Sequence, residues 1–147
     1  MPKRLLPLLL CALTAACDNT ISGPSGTSSS GTTATTTIAP STESFEATLV
    51  PGGSTFYSFS VATAGSVAVT LASVVQVGRP AAVTTPMRIG LGTPAGEGCA
   101  VSDSVNASAA LTPQLVVALT ADIHCVSLAD AGQLTAPAIV SVRFTHP

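Results

Sequence analysis

The stretch ESFEATLVPGGSTFYSFSVATAGSVAVTL, residues 43–71, decides the fold of this chain. Large apolar residues alternate in it with small polar ones, a period of two that is typical of strands with one buried face. The turn residues P-G-G at 51–53 predict a hairpin over 44–61, and T-A-G at 63–65 marks the next turn. The stretch therefore predicts three consecutive strands. The side chains expected to face the core are Phe45, Ala47, Leu49, Tyr57, Phe59, Val61, Val67, Val69 and Leu71.

The same alternation continues toward the C-terminus. QLVVAL, residues 114–119, is apolar on both faces and is expected to be a central strand of its sheet. No window shows a helical period with caps. Seven or eight short strands, with turns about every 8–12 residues, predict an all-β fold, a small antiparallel β-sandwich. The further positions expected to face the core are Met87, Ile89, Leu91, Val126, Leu128, Val140, Val142 and Phe144.

Residues 43–71 also resemble the opening of the bacterial pre-peptidase C-terminal domain. That family pairs an opening strand and a glycine turn with a Y-x-F-x-V strand, here YSFSV, and an A-G-x-V-x-V-x-L strand, here AGSVAVTL. The segments at 121–130 and 136–147 are similar to its closing strands, so the resemblance covers about residues 42–147. It implies a jelly-roll-like β-sandwich that accompanies secreted bacterial enzymes as an accessory module, without peptidase activity of its own.

Two departures from that family bear on function. His124 stands where the family usually has a tyrosine, and the acidic residues that bind calcium in some relatives have no counterpart cluster here. The acids of the domain are scattered singly, whereas a calcium site needs several converging oxygens. The spacing therefore predicts no metal site of this kind.

Cys99 and Cys125 are the two cysteines of the domain, and in an exported protein such a pair is most simply a disulfide. His124 and His146 would complete a Cys₂His₂ set for zinc. Against this alternative, His124 and Cys125 are adjacent on a predicted strand and point to opposite faces of it. The sequence therefore predicts the disulfide and no metal ligands.

No arrangement of residues indicates catalysis. GLGTPAG, residues 90–96, lacks the spacing of a dinucleotide-binding loop and is interpreted as a turn, so no cofactor is predicted. There is no G-x-S-x-G elbow, and the histidines have no obvious nucleophile partner. Asp122 and His124 share a strand face, which favours a surface pair over a catalytic dyad. No catalytic residue is predicted, and the chain is not expected to be an enzyme.

The N-terminus carries the signs of export. Lys3 and Arg4 precede the apolar run 5–13, which is too short for a bilayer-spanning helix of roughly 20 residues. This pattern predicts a signal peptide over residues 1–16. The TAAC that ends at Cys17 resembles the lipobox of bacterial lipoproteins, which implies cleavage before Cys17 and acylation of its sulfur with chains such as palmitate. A free thiol after ordinary cleavage and an uncleaved leader are the alternatives.

The segment that follows the cysteine is rich in Ser, Thr, Gly and Pro. It offers too little apolar surface to offset its ordering entropy, so residues 17–41 are predicted to form a lipidated, disordered tether. Residues 42–147 then form the single β-sandwich domain. The lipid on Cys17 would hold the protein to a bacterial membrane in the cell envelope, at its periplasmic or surface face.

Charge and aromatic content narrow the function. Without the leader, three arginines stand against seven acids, a net charge of 3 − 7 = −4, and no basic stripe for nucleic acid exists. We expect a non-catalytic envelope lipoprotein whose sandwich is a binding or accessory module for an envelope protein or glycan. A carbohydrate- or peptidoglycan-binding module is the alternative. It is weakened by the lack of tryptophan, because only Phe56 among the five aromatics points away from the core.

Overall fold

The part of the chain that the structure describes folds into eight β-strands. The computed structural model describes residues 39–79 and 81–147, so the predicted signal peptide, Cys17 and nearly all of the tether lie outside the described residues. No helix in these two ranges is long and apolar enough to cross a membrane. The strands are β1 (Ser41–Leu49), β2 (Ser54–Val61), β3 (Gly65–Gln76), β4 (Met87–Ala95), β5 (Gly98–Ala107), β6 (Leu115–Leu119), β7 (Asp122–Asp130) and β8 (Ala138–His146).

The strands form two antiparallel sheets of four. The first sheet has the order β1-β8-β3-β6 and the second the order β2-β7-β4-β5. Eight strands that alternate between two sheets in this way form a jelly roll, with the core between the inner faces. The prediction of an all-β, jelly-roll-like sandwich is therefore confirmed.

Most of the core consists of residues that the period-two pattern placed on one face, and Val74, Leu134 and Ala138 add to them. Val67, Leu71, Ile89, Val142 and Phe144 are among those with no exposed surface, and both sheets contribute. Tyr57 differs, because its side chain points inward at the open side between edge strands β1 and β2 and remains 38 % exposed. Its ring stacks on that of Phe45, with centroids 5.5 Å apart.

The predicted hairpin over residues 44–61 is wrong. β1 pairs with β8, and β2 pairs with β7, so the turn at 51–53 carries the chain from one sheet to the other. Alternation and turn residues specify that the chain reverses, but they do not specify whether the two strands share a sheet. The jelly-roll topology follows from this change of sheet.

The prediction that QLVVAL forms a central strand is also wrong. β6 pairs only with β3 and lies at an edge of the first sheet. Its residues alternate between partly buried and exposed, and Val116 is 60 % exposed. The apolar character of its outer face comes from Val116 and Ala118, which face solvent. Apolar residues on both faces of a short strand therefore did not indicate burial on both faces.

Asp130 holds two turns together at one end of the sandwich. One carboxylate oxygen accepts a hydrogen bond from the backbone N–H of Gly52 at 2.9 Å. The other accepts bonds from the N–H groups of Gly132, Gln133 and Leu134 at 3.0–3.1 Å. These donors, Gly52 first, hold the pKa of Asp130 below its usual value because they favour the ionised form.

Acid should therefore remove the stabilisation that Asp130 provides. A carboxyl whose pKa is lowered by folding stabilises the native state above its ordinary pKa of about 3.9, and this contribution is lost as the pH falls through the lower, folded pKa. Asp130→Asn should lower the melting temperature at pH 7 and flatten its dependence on pH below about 4. Asp122→Asn is the matched control, since that carboxylate bonds only the N–H of the next residue. Melting curves of both variants from pH 7 to pH 2 test this, and parallel acid profiles for wild type and Asp130→Asn would contradict it.

Candidate functional site

The candidate site lies on the outer face of the second sheet. The stretch GLGTPAG, predicted to be a turn, is strand β4 as far as Ala95, and only Gly96 and Glu97 form the turn. Ile89 and Leu91 face the core, so the glycines that alternate with them, Gly90 and Gly92, lie on the outer face. The interpretation as a turn is therefore corrected for residues 90–95.

These two glycines allow the chain to fold over the sheet. A Cβ on Gly90 would lie 2.7 Å from the Val101 side chain, and a Cβ on Gly92 would collide with the carbonyl oxygen of Ala100. The register between β4 and β5 shifts beside Gly92, which leaves Ser102 as the extra residue of a bulge. The first residues of β5 therefore cross the outer face of β4. A G-x-G pattern inside an alternating strand is the sequence signal for such an approach.

The predicted disulfide is confirmed, and it fixes this crossing. Cys99 lies at the start of β5 and Cys125 lies in β7, with an S–S distance of 2.04 Å and a Cα–Cα distance of 6.0 Å. In the sheet order, β4 lies between these two strands, so the bridge passes over β4 at the level of Gly92. Cys125 is fully buried, although it lies on the outer face, because β5 covers it. The bridge thus holds a folded-over hairpin end, which we call the stapled hairpin (residues 95–101).

The stapled hairpin borders two adjoining depressions on the outer face, which we call the outer-face groove. Their volumes are about 410 and 420 Å³, and Ser127 of β7 lines both. The first is lined by Arg88, Gly90, Val101, Ser102, Ser104, Ser127 and Ala129. The second is lined by Ser54, Thr55, Phe56, Glu97, Gly98, Cys99 and Ser127. The groove therefore has small residues and hydroxyls in its walls, one guanidinium, one carboxylate and one aromatic ring.

Arg88 is the cation of this groove. Its Nε and Nη2 donate to the hydroxyl oxygen of Ser104 at 3.4 and 3.2 Å, which places the guanidinium beside β5. Within the described part of the chain, the one contact of salt-bridge geometry joins His146 and Glu43 at 2.9 Å, far from Arg88 in sequence and on the first sheet. Arg88 thus has no carboxylate partner among the described residues. Sequence analysis did not single it out, because a lone arginine on a strand has no distinguishing pattern.

A second polar cluster lies between the sheets, beside the aromatic core. Glu43 accepts hydrogen bonds from His146 Nε2 at 2.9 Å and from the Tyr57 hydroxyl at 3.0 Å. The bond to Glu43 raises the pKa of Tyr57, because the phenolate would face a carboxylate. Tyr57 belongs to the second sheet and the other two residues to the first, so this cluster joins the sheets at their open side. Sequence analysis missed it, because its members are 14 and 103 residues apart in sequence.

The expected surface pair of Asp122 and His124 is not found. His124 is buried against Phe59, with ring centroids 6.2 Å apart, and its Nε2 bonds the carbonyl oxygen of Thr120 at 2.9 Å. Asp122 is exposed and accepts a bond from the N–H of Ile123. The shared strand face was predicted correctly, but that face turns to the core at His124 and reaches solvent at Asp122.

Neither a cluster of metal-binding side chains nor a comparison with known proteins identifies the ligand of this site. Across 39–79 and 81–147, no three His, Cys, Asp or Glu side chains lie close enough together to hold a metal ion. No protein-family model and no curated protein matches this chain. The functional argument therefore rests on the groove itself.

A side chain at Gly92 should separate the stapled hairpin from the sheet. Gly92→Ala places a methyl group against the Ala100 backbone, whose movement the disulfide at Cys99 restricts, so we expect a loss of about 1–3 kcal/mol in the free energy of unfolding. Gly98→Ala is the matched control, because its Cβ would meet only the Ala95 carbonyl oxygen, at 3.7 Å. Chemical denaturation of both variants measures the difference. Equal stability of the two would mean that β5 does not press on β4 at Gly92.

Proposed function

We propose that this chain is a non-catalytic lipoprotein of the bacterial cell envelope, anchored through a lipid on Cys17, whose β-sandwich binds another envelope component. The observation that carries the proposal is the stapled hairpin, which builds a groove on a sheet face that would otherwise be flat. A disulfide that ties β5 across β4 to β7 holds the groove walls in place before any ligand arrives, which lowers the entropic cost of binding.

The dimensions and chemistry of the groove support a binding role. Each depression falls within the range of about 300–1,000 Å³ that is typical of ligand sites. Small side chains such as Ser127 and Ala129 leave its floor open, and Arg88 and Glu97 offer opposite charges in its two depressions. Such an arrangement orients a ligand by a few polar contacts.

The histidines support a non-catalytic role. Both ring nitrogens of His146 bond protein groups, Glu43 and the Pro147 carbonyl oxygen, and His124 is buried with Nε2 on a backbone carbonyl. In the part of the chain that the structure describes, neither histidine bonds a hydroxyl or thiol that it could activate. The geometry of general-base catalysis requires such a bond or one through water.

A carbohydrate- or peptidoglycan-binding module remains the second candidate, and Phe56 favours it. Phe56 lines the groove and is 36 % exposed, while the other phenylalanines of the domain pack toward the core. An exposed ring on a sheet face gives a flat apolar surface on which the C–H face of a sugar can pack.

The anchor is tested by replacing the lipidation site. Cys17→Ser should move the protein from the detergent phase to the aqueous phase when envelopes are extracted, because a lipid on this sulfur would supply the membrane affinity. Cys11→Ser is the matched control, because this cysteine lies within the predicted signal peptide, and it should leave the partition unchanged. If the Cys17→Ser protein still sediments with membranes after a salt wash, a lipid on this residue is not the anchor.

The binding role is tested by filling the groove. Ser127→Trp would occupy both depressions and should abolish crosslinking of the protein to its partner in intact envelopes. Ser66→Trp places the same side chain on the outer face of the first sheet and should leave crosslinking intact. Melting curves check that both variants fold. An unchanged crosslinking pattern with Ser127→Trp would exclude the groove as the binding surface.

A further inference from the structure

We propose that the outer-face groove binds a glycan that bears a carboxylate, and that Arg88 binds this carboxylate. The inference rests on the proposed function of the sandwich as a binding module and specifies its ligand. It goes beyond the second candidate function, which names glycans in general and assigns no residue to their recognition.

The first step concerns charge. A guanidinium has five N–H donors, and Arg88 uses two of its nitrogens on the Ser104 hydroxyl. It has no carboxylate within ion-pair distance among the described residues, so its charge is not neutralised by the protein. The planar fork of a guanidinium matches a carboxylate through two parallel bonds. The first depression is therefore complementary to an anionic group of the ligand.

The second step concerns the remainder of the ligand. The groove presents the hydroxyls of Ser104 and Ser127, which donate and accept hydrogen bonds as sugar hydroxyls do. The Ser104 oxygen accepts from Arg88, while the Ser102 hydroxyl is engaged with the Asp103 carboxylate at 2.9 Å. Phe56 lies opposite Ser127 in the β2–β7 register and presents its ring in the adjoining depression. A ligand that spans both depressions thus meets a cation, several hydroxyls and an aromatic face, which suits an acidic sugar joined to a neutral one.

The third step concerns orientation. Glu97 at the tip of the stapled hairpin lines the second depression, and Arg88 lines the first. A carboxylate is attracted at one end of the groove and repelled at the other. The acidic sugar is therefore assigned to the Arg88 end, and the neutral sugar to the Phe56 end.

A peptide strand fits the groove less well. Extended peptides bind sheets at a free edge, where main-chain N–H and C=O groups are available. The groove instead crosses β4 and β7, two inner strands whose main-chain groups pair with neighbours on both sides. Its donors and acceptors are side-chain hydroxyls, a guanidinium and the Glu97 carboxylate, which favours the glycan.

The test is a titration of the mature full chain in detergent micelles with two disaccharides. The first joins N-acetylglucosamine to N-acetylmuramic acid, and the second is chitobiose, which lacks the lactyl carboxylate. We expect binding of the first to be about ten- to a hundredfold tighter, the usual range for hydrogen bonds to a charged group. Inorganic phosphate is the third probe and should compete only weakly.

Variants locate the effect. Arg88→Ala should lower the affinity for the acidic disaccharide to that for chitobiose. Arg88→Lys should retain only part of the affinity, because an ammonium group cannot form the two parallel hydrogen bonds of a guanidinium. Arg143→Ala removes another exposed arginine, from the outer face of the first sheet, and should leave binding unchanged. Phe56→Ala should lower the affinity for both disaccharides by the same factor.

Each of the following results would overturn the inference. Equal affinity for the two disaccharides would show that the ligand carboxylate does not contribute to binding. An Arg88→Ala variant that binds like Arg143→Ala would show that Arg88 does not recognise it. Phosphate that displaces the acidic disaccharide at equal concentration would show a general anion site. If neither disaccharide binds while Ser127→Trp abolishes crosslinking in envelopes, the ligand is not this glycan and the proposed binding role stands. If neither disaccharide binds and Ser127→Trp also leaves crosslinking unchanged, both the glycan inference and the proposed binding role of the groove are wrong.

Discussion

Replacing Cys99 and Cys125 together by alanine is expected to destabilise the sandwich by about 3.5 kcal/mol. The bridge closes a loop with a sequence separation of 26 residues, and the chain-entropy model gives this magnitude for the denatured-state entropy that it removes. For a domain of this size, the loss corresponds to a fall of roughly 15–25 °C in melting temperature. Calorimetry or circular dichroism on the purified chain measures it.

Reduced wild-type protein is the control. It separates the effect of losing the S–S bond from the effect of losing the packing of the two sulfur atoms. The thiols remain in place after reduction, so wild type in excess dithiothreitol should show most of the loss, and the double variant should show slightly more because Cys125 is fully buried. The strand pattern in far-ultraviolet circular dichroism should persist, since the bridge lies outside the apolar core. A double variant that melts within a few degrees of wild type would refute the stabilising role of the bridge.

The same variant should also lose its groove before it loses its fold. Without the bridge, only the β4–β5 ladder holds the stapled hairpin, and β4 carries glycines where side chains would otherwise pack. We therefore expect ligand binding to fail at temperatures at which the sheets remain intact. The disulfide thus serves the site as well as the stability of the domain.

The strands were predictable because their burial is regular. Val67, Val69 and Leu71 alternate with small polar residues, and a period of two has one structural explanation when turns flank it. Most core positions and the fold class were predicted for this reason, whereas Val74, Leu134 and Ala138 were not expected in the core. Cys99 and Cys125 needed no geometry, because two cysteines in one exported domain leave few other pairings.

The pairing of strands was not predictable, because it depends on contacts that are distant in sequence. β1 and β8 are paired across about a hundred residues, so the turn at 51–53 gave no sign that β2 would join the other sheet. The groove was missed for a related reason. It depends on Gly92 lying beneath Ala100, whereas the sequence pattern around the same glycines is typical of a turn. Local sequence patterns predict strands and turns, whereas the groove depends on contacts between strands that these patterns do not predict.

Phe144→Ala should be as damaging as loss of the disulfide, with an expected cost of about 3–5 kcal/mol. Phe144 is the largest side chain with no exposed surface. Its ring lies 4.7 Å from that of Phe59 on the opposite sheet, and 5.8 and 5.9 Å from those of Tyr57 and His146. Removing it leaves a cavity where the two sheets meet and deprives the rings around it of their partner.

Phe56→Ala is the matched control, because it makes the same change on the outer face of the second sheet, where 36 % of the residue is already exposed. Its cost should stay below about 1 kcal/mol, as for other substitutions at the surface. Urea denaturation of the two variants compares them directly, and the slope of the transition should remain similar if both unfold in two states. The prediction also separates stability from binding, since Phe144→Ala should lower the melting temperature while Phe56→Ala lowers glycan affinity. Equal destabilisation by the two variants would mean that the core is not centred on Phe144, and the assignment of inner and outer faces would then be wrong.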